Sequence, residues 1–65
     1  MTENQYNEIH LNQKVVSREL NNKLEMEIRY GYVTKIYKGN YQLQVWFDAE
    51  RKPRVVGYKQ IELSN

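Results

Sequence analysis

The chain has 65 residues, no cysteine and a formal net charge of +2. A chain of this length forms one domain at most, and folding hides only about 60% of the surface that the unfolded chain exposes. Without cysteine, neither a disulfide nor a thiolate metal site can supplement its thin hydrophobic core. No apolar stretch approaches the roughly 18 residues that cross a bilayer. We therefore expect one small cytoplasmic domain that does not enter membranes.

Two features of the composition point to a binding surface. Aromatic residues make up 12% of the chain; they suit a domain with few core positions, and when half exposed they also serve as contact surfaces. Charge is also uneven: residues 1–28 carry five acidic and three basic side chains (net −2), whereas residues 29–59 carry seven basic and two acidic ones (net +5). A basic segment is typical of proteins that bind polyanions, although a solvated sheet face has the same composition.

The N-terminal segment is mostly polar, with few apolar side chains in its first dozen residues. We predict a flexible polar tail over residues 1–12 and a folded domain over residues 13–65, because unpatterned polar termini rarely take part in a core. Tyr6, Ile9 and Leu11 are the side chains that could instead hold this segment against the domain.

Residues 13–30 support two interpretations. Apolar residues recur every four positions across residues 16–28, as in an amphipathic helix. Residues 24–30 also alternate strictly between apolar and charged side chains, as in a half-buried strand. We favour strands, because the alternation continues into a β-rich stretch and the asparagine pair at 21–22 suits a turn.

Residues 30–47 predict a β-hairpin. Residues 30–37 are almost all β-branched or aromatic, a composition typical of strands. The Gly39-Asn40 pair then marks a turn, since both residues tolerate the backbone conformations of tight hairpins. Residues 41–47 alternate again between apolar and polar side chains, which predicts the second strand of the hairpin.

The remaining sequence predicts two further short strands. Pro53 closes a charged loop over residues 48–54, a position that suits proline because it cannot donate a hydrogen bond within a central strand. One strand then begins at residue 55, and a turn leads to a last strand that ends at residue 63. The predicted core consists of Val33, Ile36, Leu43, Val45, Val55 and Ile61. Because so few residues cannot fill two sheets, we predict an all-β fold, a small barrel of about five short antiparallel strands.

One pattern in this stretch resembles a known family. It comprises Gly31, Val33 and Ile36, a glycine turn, an aliphatic strand that ends at Phe47, and a closing strand with Ile61 and Leu63. The pattern resembles SH3-like barrels and is similar to the KOW and Tudor-like modules of bacterial transcription and repair proteins, among them the C-terminal Tudor-like domain of bacterial DNA helicases. The resemblance implies an SH3-like barrel that associates with nucleic acid or with a nucleic-acid-processing protein.

Residues suited to catalysis are few. His10 is the one histidine and lies in the polar N-terminal segment, and Asp48 is the one aspartate and suits a turn. The two serines have no predicted base beside them, and the three glycines are too far apart to form a phosphate-binding loop. We therefore predict no enzymatic activity, no cofactor, no metal and no small-molecule substrate.

A binding surface is better supported. If Val45 and Phe47 face the core, alternation turns Trp46 outward, and exposed aromatic side chains often mark contact sites. Packing of Trp46 under the N-terminal tail or against Tyr6 is the alternative. The predicted binding residues are aromatic or basic: Trp46, Tyr32, Tyr37, Lys35, Arg51, Lys52 and Arg54. Stacking aromatics beside cations predict a DNA or RNA partner. The other candidate is a protein-interaction module or small inhibitor, of the kind that phages and mobile elements encode, which binds a host polymerase, nuclease or other protein.

Overall fold

The computed structural model describes residues 1–64. It contains one short helix, α1 (Glu3–Asn7), and five strands: β1 (Lys14–Leu20), β2 (Met26–Tyr37), β3 (Gln42–Phe47), β4 (Arg54–Gly57) and β5 (Ile61–Leu63). Two single-turn 3₁₀ helices, η1 (Lys38–Asn40) and η2 (Tyr58–Gln60), precede β3 and β5.

All five strands lie in one antiparallel sheet, so the all-β prediction is confirmed. The strand order is β4-β3-β2-β1-β5, in which β1 to β4 pair in the order of the sequence and β5 returns to pair with β1. Side chains from β1, β2, β3 and β5 meet in a single hydrophobic cluster. The sheet therefore bends around one core, as a domain of this size requires.

The strand interpretation of residues 13–30 is correct. β1 and β2 form a hairpin in which Lys14 lies opposite Tyr32 and Leu20 opposite Met26. The side-chain oxygen of Asn21 accepts hydrogen bonds from two backbone amides of the turn, those of Lys23 (2.8 Å) and Glu25 (3.0 Å). Asparagine thus closes the turn through its own side chain, as the sequence predicts.

The predicted hairpin between β2 and β3 is also present, with a different turn geometry. The chain reverses through η1, and the residue in the left-handed conformation is Tyr41, with a φ of 55°, directly after Gly39-Asn40. Neither glycine nor asparagine is therefore the left-handed residue of this turn.

The predicted core is correct except at one position. Val33, Leu43, Val45 and Ile61 are fully buried, and Ile36 packs against the same cluster. Val55 is 50% exposed. It lies opposite Gln44, whose neighbour Val45 faces inward, so Val55 is on the outer side of the sheet. The alternation of β4 places Arg54 and Val56 inward instead.

The N-terminal segment differs from the predicted loose tail. Tyr6 is 1% exposed and Ile9 is buried, and both belong to the core cluster, whereas Leu11 is exposed. The Tyr6 hydroxyl donates to the carbonyls of Tyr37 (3.0 Å) and Gln42 (3.2 Å). The polarity of the neighbouring residues concealed this role, because a one-turn helix needs only two apolar side chains to dock.

The hairpin of β1 and β2 extends beyond the rest of the sheet. β3 pairs with β2 only from Gly31 onward, and β5 pairs with β1 only over residues 15–17. Residues 18–30 therefore form a two-stranded segment, called the ribbon below, along which neither β3 nor β5 pairs. The molecule measures 34 Å along its longest axis and 24 and 23 Å along the other two.

Candidate functional site on the outer face of the sheet

The register between β2 and β3 determines which side chains face solvent. Val33 pairs with Val45 on the inner side, and Tyr32 pairs with Trp46 on the outer side. The register shifts between Val33 and Lys35, so an extra residue of β2 is accommodated there. A bulge of this kind reverses the alternation that follows it.

The bulge brings the predicted binding residues of β2 to the same side as Trp46. After it, Lys35 lies opposite Gln44 on the outer side, and Tyr37 follows two residues later. Lys35 Nζ lies 5.3 Å from the centroid of the Tyr37 ring. Tyr32, Lys35, Tyr37 and Trp46 thus share one surface, called the aromatic face below.

Trp46 links this face to the loop between β3 and β4. Its side chain is 37% exposed, and its indole Nε1 donates a hydrogen bond of 3.0 Å to the backbone carbonyl of Glu50. That bond fixes the ring and holds the loop beside it. Arg51 and Lys52, the next residues in the loop, are exposed. The sequence-based grouping of Trp46 with these two cations is therefore reflected in the geometry.

Arg54 lies elsewhere. It pairs with Val45, so it starts on the inner side of the sheet, and its guanidinium carbon lies 4.7 Å from the centroid of the Phe47 ring. Its Nε donates to the Glu50 carboxylate (3.1 Å), while Nη2 is buried and has no hydrogen-bond partner. Arg54 therefore covers one end of the core and does not contribute its charge to the aromatic face.

A chain of charged side chains ties the ribbon to the same loop. Arg29 donates to Glu27 (2.8 Å) and to Glu50 (3.1 Å), and Glu50 also accepts from Arg54. Hydrogen bonds from Arg29 and from Asn21 hold the pKa of Glu27 below its usual value. Glu27 in turn raises the pKa of Arg29. Two of the seven cations between residues 29 and 59 are thus neutralised by structural ion pairs.

Two clefts are lined in part by Tyr30, which is half exposed. One, of about 570 Å³, is lined by Tyr30, Tyr32, Lys14 and Asp48 among others. The other, of about 500 Å³, lies between Tyr30 and Ile28 and also includes Asp48. Sequence analysis did not include Tyr30 or Lys14 among the binding residues, because it interpreted residues 24–30 as a half-buried strand with its apolar side toward the core. The signal that could have found them is the hairpin register, which sets Lys14 opposite Tyr32.

Comparison of the chain with protein-family models, with curated proteins and with solved structures finds no match. Within residues 1–64, no helix is long and apolar enough to cross a membrane. The same residues contain no group of three histidine, aspartate or glutamate side chains placed to hold a metal ion. Inference about function therefore rests on the surface itself.

Proposed function

We propose that this chain is a non-enzymatic binding module that contacts single-stranded DNA or RNA through its aromatic face. The observation that carries the proposal is the pairing of two solvent-facing aromatic rings, Tyr32 and Trp46, across neighbouring strands. Exposed cations on β1, on β2 and in the adjoining loop accompany them: Lys14, Lys35, Arg51 and Lys52. Bases stack on aromatic rings while cations neutralise phosphates, which is how proteins bind single strands without reading sequence.

The spacing along β2 supports a base-binding role. Tyr30 and Tyr32 are two residues apart on the same face of a strand, a separation of about 7 Å. A flat base between two rings needs about twice the optimal carbon–carbon contact distance of 3.5–4.0 Å, so the spacing suits one base. Lys14, opposite Tyr32, stands where it can meet the phosphate of that nucleotide.

The single bent sheet of five antiparallel strands supports the accompanying proposal that the chain is an SH3-like module of the KOW or Tudor-like type. In that proposal it acts in the cytoplasm of a bacterium or of a cell infected by a phage. The nucleic acid, or a protein that processes nucleic acid, is then its partner.

A protein partner is the second candidate, favoured by a different observation. The ribbon exposes large aliphatic side chains, which neither stack on bases nor attract phosphates. A small inhibitor or interaction module would use such side chains as its contact.

Binding of labelled single-stranded oligonucleotides at several salt concentrations tests the first proposal. We expect Tyr32→Ala to weaken binding about 5- to 150-fold, since the loss of one base–aromatic stack costs about 1–3 kcal/mol. Lys35→Glu should weaken binding of every oligonucleotide tested and make the salt slope shallower by about 0.7 for each phosphate that the protein no longer neutralises. Lys59→Glu is the matched control, because it makes the same charge change at an exposed lysine of η2, outside the aromatic face.

Equal effects of Lys35→Glu and Lys59→Glu would show that only total charge matters and would remove the aromatic face from the proposal. If the chain binds no oligonucleotide even at low salt, a protein partner is favoured instead. Trp46→Ala should leave the domain folded, with a loss of about 1 kcal/mol for its hydrogen bond to Glu50. If that variant unfolds, Trp46 is part of the core and the site loses its anchor.

A further inference from the structure

The outer face of the ribbon is apolar and uncovered. Leu20 lies opposite Met26, and Ile28 lies opposite Arg18, so three large aliphatic side chains share this face with one arginine. Leu20 is 63% exposed, Met26 56% and Ile28 50%. Leu24 in the turn and Tyr30 at the base extend the same strip, and both are more than half exposed.

Within residues 1–64, the five side chains of this strip remain at least half exposed. The core side chains of α1, β3 and β5 lie at the other end of β2, and the inner face of the ribbon carries the Glu27–Arg29 ion pair. An isolated two-stranded ribbon is only marginally stable in water. A ribbon that keeps an apolar face in this position is therefore suited to being covered by another surface.

The exposed area indicates what size of partner surface is needed. Five large apolar side chains, each at least half exposed, present about 500 Å² together, which is near the upper end of the largest apolar patch on a typical monomer. Two such strips in contact would bury at most about 1,000 Å², the area at which specific interfaces begin. A second copy of the chain therefore supplies enough surface for a weak, concentration-dependent contact.

The charges of the ribbon favour a second copy over a polyanion. Residues 18–29 contain three basic side chains (Arg18, Lys23, Arg29) and three acidic ones (Glu19, Glu25, Glu27), so this stretch has no net charge although the chain carries +2. On the apolar face itself, Arg18 forms an ion pair with Glu62. Two identical ribbons can therefore approach without net repulsion, whereas phosphates find no excess of cations there.

We propose that two copies of this chain form a symmetric dimer by packing the apolar faces of their ribbons together. The contact is isologous: the same strip of Leu20, Met26 and Ile28 is used on both chains. Tyr32 and Trp46 lie beyond the base of the ribbon and are not part of the strip. The dimer covers Tyr30, so it competes with a base held between Tyr30 and Tyr32. It leaves the aromatic face of Tyr32, Lys35, Tyr37 and Trp46 uncovered on both copies.

Sedimentation equilibrium of the purified chain, from about 10 μM to about 1 mM, tests this, because interfaces of about 1,000 Å² bind in the weak range. We expect the average mass to rise from monomer to dimer over that range. Ile28→Lys should raise the dimer dissociation constant roughly tenfold or more by burying an unpaired charge. Val55→Lys is the matched control: Val55 is also β-branched, 50% exposed and on the outer side of the sheet, but on β4, away from the ribbon.

A mass that stays monomeric up to about 1 mM overturns the proposal and leaves a different protein as the occupant of the strip. If Ile28→Lys and Val55→Lys weaken the dimer equally, the interface does not lie on the ribbon. If Ile28→Lys fails to fold, the location of the interface is tested with the unaltered chain. A mixture of isotope-labelled and unlabelled copies should show intermolecular contacts among the Leu20, Met26 and Ile28 methyl groups, and their absence in a dimer excludes this interface.

Discussion

β2 passes through two different environments, and the contrast between them explains most of this molecule. At Val33 the strand is completely buried, between β3 on one side and residues 12–13, which hydrogen-bond to it, on the other. At Ile28, five residues earlier in the same strand, half of the side chain is exposed. Each residue belongs to an apolar–polar alternation of period two, but Val33 faces the inner side of the sheet and Ile28 the outer side. Alternation therefore determines which residues share a face, while burial depends on whether some other part of the chain covers that face.

The alternation also changes phase at the boundary between the two regions. On the inner side of β2, Glu27 and Arg29 are followed by Gly31 and Val33, so a charged face becomes an apolar one. On the outer side the order is reversed, and aliphatic residues give way to tyrosine and lysine. Gly31 lies at the change and pairs with Phe47, the last residue of β3.

The largest difference in stability is expected between two tyrosine substitutions, one in the core at Tyr6 and one in the ribbon at Tyr30. Tyr6→Ala should cost about 3–5 kcal/mol, because it empties a buried site and leaves two backbone carbonyls without their donor. That loss is comparable to the whole stability expected of a domain this small. Tyr30→Ala, at a half-exposed position, should change stability by about 0.5 kcal/mol. Urea unfolding at low protein concentration measures both, and similar losses would contradict the contrast between core and ribbon.

A smaller effect is expected where the two regions meet. A methyl group at residue 31 would lie 2.6 Å from the carbonyl oxygen of Trp46 and 2.9 Å from the Cα of Phe47, both backbone atoms that cannot turn away. Gly31→Ala should therefore destabilise the domain by about 1–3 kcal/mol, as overpacking does. Gly39→Ala is the control, since no heavy atom lies within 4 Å of its added carbon. Thermal unfolding that shows no difference between the two variants would contradict this close approach.

The smallest effect concerns the charged side of the ribbon. Because hydrogen bonds lower the pKa of Glu27 in the folded state, its contribution to stability is present above the ordinary glutamate value of 4.5 and is lost as pH falls through the lower, folded value. NMR titration of the Glu27 carboxyl should give a pKa below 4.5, and Arg29→Gln should raise it. A Glu27 pKa that Arg29→Gln does not change would show that this ion pair is not formed in solution.

Much of the fold could be predicted from sequence, because local residue patterns determine where the strands and turns lie. Asparagine and glycine turns separate alternating runs, and these features located the strands of both hairpins. The contribution of Tyr6 could not be predicted, since its partners in the core lie 31 and 36 residues away at the ends of β2 and β3. Val55 was misplaced because its two-valine run has no alternation to distinguish inner from outer.

For the binding residues, the sequence predicted the types of side chain better than the face of the sheet on which each one lies. Trp46 was placed correctly, since β3 alternates without interruption. Lys35 lies on the same face only because of the bulge after Val33. No residue from Val33 to Lys35 is of a type that predicts a bulge. Arg54 has the right charge for the predicted surface but is held inward by Glu50 and Phe47, and such pairing becomes visible only in three dimensions.

The docking of α1 has a consequence for the order in which this domain can assemble. The Tyr6 ring contacts Tyr58, 52 residues later in the chain, with 5.3 Å between the ring centroids, and its hydroxyl bridges the strand ends at Tyr37 and Gln42. During synthesis, Tyr6 is made long before these partners exist. Contacts so distant in sequence also form late in refolding, because closing such loops costs entropy that only an already formed sheet can offset. The segment of the domain that is synthesised first is therefore the last to reach its place.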